Sequence, residues 1–192
     1  MSNADNSRMT GVIEARFGWN AFPKQHSGGL IGGLTNRKTA VDCDARAIFC
    51  GKDGRPISTD IKECCAAYDN RVMYNNAVIH SGDNQTGGSD AERITFDLKR
   101  IPSDVDHIIL SLDLLKEKKK IGFGKIQEAY LRLYYKDTGE EITEADFGHL
   151  NGGTKIVVAG RLNREDDGWS FAPDGTAYPD NSMESFLKNY VC

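Results

Sequence analysis

Residues 129–135, Ala129-Tyr130-Leu131-Arg132-Leu133-Tyr134-Tyr135, decide the fold class. Ala129, Leu131, Leu133 and Tyr135 share one parity, set against Tyr130, Arg132 and Tyr134. A period of two marks a strand with one buried face. Asp137-Thr138-Gly139 follows as a turn, and 140–147 can fold back beyond it. The same alternation recurs in Ile94, Phe96 and Leu98 against Arg93, Thr95, Asp97 and Lys99. Ile108, Leu110, Leu112 and Leu114 form a third such row. Shorter strand candidates lie at 11–19, 40–50, 62–69, 76–81, 155–163 and 168–172, with turns at Asp53-Gly54, Asn151-Gly152-Gly153 and Asp174-Gly175. Strands at roughly ten-residue spacing, joined by short turns, predict a mainly all-β chain folded as a two-sheet antiparallel β-sandwich. Only 182–190 reads as helical, with Ser182 as cap and Phe186, Leu187 and Tyr190 on one face. The Gly-rich 24–38 segment predicts a long loop. With no internal repeat and no linker, residues 1–10 are expected to be a disordered lead and 11–192 a single domain.

The chain has 192 residues, with Lys plus Arg at 24, Asp plus Glu at 28 and a formal charge of −4. That excess argues against a protein that lives on phosphate backbones, which would need a basic surplus. No stretch approaches the ~18 apolar residues of a membrane span, and the start lacks the apolar core of a signal peptide. The five cysteines (Cys43, Cys50, Cys64, Cys65, Cys192) form no C-x-x-C. Reduced thiols in a cytoplasm are expected, with the cysteines serving as small buried strand residues.

The richest segment for chemistry is Ser81-Gly82-Asp83-Asn84-Gln85-Thr86-Gly87-Gly88-Ser89-Asp90-Ala91-Glu92. It carries three carboxylates, two amides and three hydroxyls between two strands, with glycines that let the backbone fold back. Hard divalent cations take oxygen donors, and Ca²⁺ tolerates their irregular placement better than Mg²⁺ does. The segment is not an EF-hand, because counting from Asp83 puts Ile94 where that motif needs a Glu. A solvated Gly-rich hairpin loop is the plainer alternative. Asp42 and Asp44, two apart on a predicted strand, point to one face and repel unless a cation joins them. Alone, they are equally well a strand edge with exposed acids. If that strand end abuts the 82–92 loop, five carboxylates and Asn84 meet in one place. Asp42, Asp44, Asp83, Asn84, Asp90 and Glu92 are therefore the candidate metal donors, with backbone carbonyls near Cys43 and Gln85 to complete the shell. Those five acids exceed the whole net excess of four, so the acidity becomes a local feature.

Other motifs fail. Residues 148–155 resemble a P-loop with Lys and Thr exchanged, but a predicted strand follows and offers no helix N-terminus to a phosphate. There is no G-x-S-x-G and no H-E-x-x-H, and His26, His80, His107 and His149 have neither zinc nor triad spacing. The runs 116–120 and 164–168 read as a solvated loop and a hairpin tip.

Taken together these stretches resemble the TerD tellurite-resistance family. Residues 82–92 resemble its G-D-N-x-T-G…D-D-E signature, and Val41-Asp42-Cys43-Asp44-Ala45 its D-x-D-A motif. Phe123-Gly124-Lys125-Ile126, Ala129-Tyr130-Leu131-Arg132 and Asp137-Thr138-Gly139-Glu140-Glu141 match further stretches in order, as do Gly18-Trp19-Asn20 and Gly168-Trp169-Ser170-Phe171. The resemblance implies a β-sandwich that binds Ca²⁺ at one end and a cytoplasmic stress-response role in resistance to tellurite and other toxic agents. It implies binding or scaffolding with other proteins of the tellurite-resistance system, including a membrane component, and no enzymatic activity. Ala91 and Asn20 stand where the family carries acids, so one Ca²⁺ site keeps its donors and a second loses some.

The expected function is that of a Ca²⁺-ordered binding module. Without the ion the carboxylates repel and the loop is loose; with it the loop closes onto the strand end and presents one surface to a partner. The alternative is a Ca²⁺-dependent sandwich that binds a sugar or nucleotide, which an exposed aromatic beside the 82–92 loop would favour. A metal-assisted hydrolase is disfavoured because no general base is evident.

Overall fold

The computed structural model describes residues 8–20, 41–116, 122–123, 126–147 and 153–190. The predicted 24–38 loop, most of the 116–120 run, Cys192 and the P-loop-like 148–152 lie outside the described residues.

The strands are β1 (Val12–Asn20), β2 (Asp44–Cys50), β3 (Cys65–Ala66), β4 (Val72–Met73), β5 (Val78–His80), β6 (Gly88–Asp97), β7 (His107–Asp113), β8 (Gln127–Tyr135), β9 (Glu141–Asp146), β10 (Ile156–Glu165) and β11 (Gly168–Tyr178). They form two antiparallel sheets, ordered β4-β5-β6-β1-β8-β9 and β11-β10-β7-β2-β3. Two α-helices, α1 (Ile61–Cys64) and α2 (Met183–Asn189), and a 3-10 turn at Leu98–Arg100 complete the described elements. The two-sheet sandwich with a short C-terminal helix is the architecture that the alternation implies.

The inward rows meet between the sheets. Ile13, Ala15 and Phe17 of β1, Ile94 and Phe96 of β6 and Leu131 and Leu133 of β8 face Ala45, Ala47 and Phe49 of β2 and Ile108, Leu110 and Leu112 of β7. Each large aliphatic or aromatic side chain so buried contributes about 1.5–3 kcal/mol of transfer free energy. β2 is buried along its whole length, which period-two reasoning does not anticipate. The cause is α2. Its Met183 and Phe186, with Tyr190 just beyond, cover the outer face of the second sheet over Ile48, Cys50, Ile109, Ile156 and Val158. Ser182 caps α2 by accepting a hydrogen bond from the Ser185 N–H at 3.1 Å. Tyr178 meets Phe186 edge-on at 5.0 Å.

Two local expectations change. Residues 62–69, read as a strand, open with one helical turn because Asp60 caps it through the Lys62 N–H at 2.9 Å. Only Cys65 and Ala66 then remain to pair with β2. Within the lead expected at 1–10, Met9 is buried and exchanges backbone hydrogen bonds with Trp169 at 2.8 and 3.0 Å.

Gly18 positions the functional end. A Cβ there would fall on the ring of Tyr130, its neighbour across the β1–β8 pair. Tyr130 crosses that gap so that its hydroxyl reaches Ser89 Oγ at 3.1 Å and accepts from the Asp90 N–H at 3.0 Å. Gly18→Ala is expected to cost about 1–3 kcal/mol by overpacking, measured by urea unfolding. A loss below about 0.5 kcal/mol would show that Tyr130 gives way freely.

Candidate metal centre

The loop between β5 and β6 lies against the N-terminal end of β2. Gly82, Gly87 and Gly88 take positive φ, as the sharp reversal of the loop requires. Ser81 and Arg93 close its base, with Ser81 N donating to Arg93 O at 2.8 Å and Arg93 N to Ser81 Oγ at 2.9 Å. Trp19 is buried and donates from Nε1 to Val41 O at 3.1 Å, which holds the approach to Asp42.

Glu92 and His80 stitch the two sheets together here. β3 covers the edge of β2 only at Ala47 and Ile48, so Ala45 would present unpaired backbone groups to the interior. Glu92, fully buried, accepts the Ala45 N–H through Oε2 at 2.8 Å and the Asn84 N–H through Oε1 at 2.9 Å. His80, also fully buried, accepts the Gly82 N–H on Nδ1 at 2.9 Å, so Nε2 carries the proton and donates to Ala45 O at 3.0 Å. Burial lowers His80 to about 4, and the ring is neutral. Its 3.6 Å approach to Glu92 is therefore a contact rather than an ion pair. Burial raises Glu92 to about 7, opposed by the two N–H donors and reinforced by Asp44 and Asp83.

Asp42, Asp44 and Asp83 converge, each offering one oxygen within 4.8 Å of the other two. The Asp44 side chain is 0% exposed. Its Oδ2 has no hydrogen-bond donor among the described residues. Burial raises Asp44 to about 6; Lys116 opposes the shift and Asp113 adds to it. Asp113, directly across the β2–β7 pair, is likewise buried and is held by Arg46 and by the Leu115 N–H at 3.0 Å. The Lys116 ammonium lies among the three converging carboxylates, 2.8 Å from Asp44, 3.3 Å from Asp83 and 3.5 Å from Asp42. Burial works against its charge, and the three acids more than offset it.

The other three named donors are engaged elsewhere. Asn84 Oδ1 accepts from Thr86 N at 3.0 Å and its Nδ2 donates to Ala91 O at 3.1 Å, which shapes the loop. Asp90, with φ of 50°, turns to the outer face of the first sheet, where it meets Tyr130 at 3.2 Å and Arg16 at 3.6 Å. Glu92 is the buried anchor just described. Sequence reasoning missed Asp113 and Lys116. Asp113 showed itself only as an acid on an apolar strand, and Lys116 as the first residue of a charge run read as solvated.

Cys43, Cys50, Cys64 and Cys65 are buried and form no disulfide among the described residues. Burial pushes Cys64 up to about 11 and Cys65 up to about 12, so these two thiols are poor nucleophiles. A cleft of about 500 Å³ lies beside the loop, lined in part by Trp19, Ser89, Tyr130 and Arg132. Trp19 is buried, and the Arg132 guanidinium lies over the Tyr130 ring at 4.4 Å. Neither is the open aromatic face that a sugar or base would stack on. No helix among the described residues is long and apolar enough to cross a membrane.

Comparison with known proteins places the fold and the family. The stress response protein SCP2 of Bacillus subtilis (strain 168) is 28% identical over 154 residues, covering 79% of this chain and 75% of its own length. The tellurium resistance protein TerZ of Serratia marcescens is 28% identical over 180 residues, covering 91% of this chain and 84% of its own length. The crystal structure of a homologue of telluride resistance protein (TerD) from Streptomyces coelicolor A3(2) shares the fold, with a TM-score of 0.66 at 16% identity over 93% of this chain and 96% of that one. The TerD domain itself matches residues 5–190, nearly the whole chain, and the chain belongs to the TerD family.

Proposed function

We propose that this is a stress-response protein of the tellurium-resistance type whose Asp42–Asp44–Asp83 corner binds Ca²⁺ and presents an ordered surface to a protein partner. The observation that carries the reading is Asp44, a fully buried carboxylate with Oδ2 lacking a donor among the described residues, aimed at two further carboxylates. A buried charge left in that state is costly, and an oxygen-only donor set suits a hard cation. Asp42, Asp44 and Asp83 would hold the ion, which supplies positive charge and no redox chemistry. Because Glu92 already fastens the loop to β2, loading acts on 42–44 and the loop tip rather than on the loop as a whole. Other tellurite-resistance proteins of the cytoplasm, including a membrane component, are the partners of this reading, and its role is binding rather than catalysis.

Isothermal calorimetry with Ca²⁺ at two pH values tests it. Proton and metal compete for Asp44, whose carboxyl titrates at about 6. Above that value the carboxylate is ionised and ready; below it each ion must displace a proton. Affinity is expected to weaken about tenfold between pH 7 and pH 5. Absence of binding at micromolar Ca²⁺ and pH 7 would sink the proposal.

A further inference from the structure

We infer that the Lys116 ammonium and a divalent cation are alternative occupants of the Asp42–Asp44–Asp83 cluster, so that metal uptake ejects a side chain of the protein itself. The inference rests on the cation-site reading above and deepens it. Lys116 Nζ lies 2.8, 3.3 and 3.5 Å from one oxygen of each carboxylate. Ca²⁺ bonds its oxygens at about 2.3–2.6 Å. Three oxygens within 4.8 Å of one another enclose a single cation-sized space, and two positive centres inside it would repel strongly. Lys116 is suited to such a role. Its side chain is 30% exposed, so it has a way out to solvent, whereas Asp44 at 0% has none. A lysine ammonium is a compact charge on a flexible stem, able to leave without disturbing the backbone.

The arrangement changes what loading does. Lys116 neutralises one of three charges and ties strand end to loop tip with no metal required. The exchange also has a built-in reporter. Lys116 Nζ stands 3.7 Å from the centroid of the Tyr68 ring, in the turn between β3 and β4. Ejection withdraws a cation from that ring face and alters the surface on both sides of it.

Lys116→Met keeps the length of the stem and removes the charge. Calorimetry with CaCl₂ after EDTA treatment and dialysis is expected to show at least about tenfold tighter binding than wild type, because the ion no longer displaces a competitor. The variant should also melt lower than wild type in EDTA. If both proteins bind Ca²⁺ with affinities within about twofold, the exchange is overturned while the metal site stands. If neither binds, both are overturned. Wild-type protein offers a second measurement, independent of how the variant folds. In a Ca²⁺ titration followed by NMR, the Tyr68 ring signals should shift in step with saturation. Ring signals that stay fixed through saturation would refute the ejection of Lys116.

Discussion

Asp44→Asn is expected to weaken Ca²⁺ binding by about 100-fold or more, equivalent to about 2.7 kcal/mol, while leaving the metal-free protein close to wild-type stability. The two halves of this result have different causes. Asp44 is the innermost of the three converging carboxylates, fully buried, with Oδ2 unpaired among the described residues. An amide of the same shape offers the ion a dipole in place of a charge, in surroundings where charges are weakly screened. Without metal, the ionised carboxylate contributes little to the fold. It stands opposite the buried Asp113 in the β2–β7 register, and burial already raises its pKa to about 6. Removing it relieves that repulsion and forfeits one partly exposed ion pair with Lys116, two small effects of opposite sign. Calorimetry and thermal melts in EDTA measure the two halves separately. Calcium affinity within about threefold of wild type would remove Asp44 from the site.

Glu92→Ala is expected to lower the melting temperature in EDTA by about 4–24 °C. The carboxylate receives the Ala45 N–H and the Asn84 N–H, and Ala45 is fully buried. Truncation leaves both donors without a partner, at roughly 1–3 kcal/mol each. For a domain of this size about 1 kcal/mol corresponds to 2–4 °C. Glu92→Gln retains one acceptor oxygen and should lose about half as much. If Glu92→Ala melts within about 2 °C of wild type, water has replaced the carboxylate and the link between sheets at Ala45 is dispensable. Variants at Glu92 and Asp44 also separate two roles that sequence alone merges: Glu92 as anchor of the loop, and Asp44 as a proposed cation ligand.

The strands with one covered face were legible because their side chains alternate. Ala129, Leu131 and Leu133 line the core, as their parity requires. The stretch 62–69 was not, because a single Asp60 cap turns its first residues into a helical turn. β2 hides its alternation for another reason. At its C-terminal half the outward residues Ile48 and Cys50 are covered by a helix more than a hundred residues away in sequence, so both faces there are apolar. In the site, the acids were recognisable as a class, yet composition could not say which would converge. Asp83 lies in the loop and Asp90 near the start of β6, where a positive φ at Asp90 sends its side chain to Arg16 and Tyr130 on the opposite face. Lys116 was invisible because its charge run is typical of solvated loops, and its partner Asp42 is 74 residues distant.

The amino-acid sequence by itself determined the sandwich, its family and the kind of donor at its functional end. Those properties follow from alternation, turn chemistry and residue type, which are local. Only the tertiary structure decided that Asp42, Asp44 and Asp83 share a space, that Glu92 serves the backbone of Ala45, and that the Lys116 ammonium lies among the three acids. These depend on which strand end meets which loop, and on burial turning scattered charges into neighbours whose interaction water no longer screens.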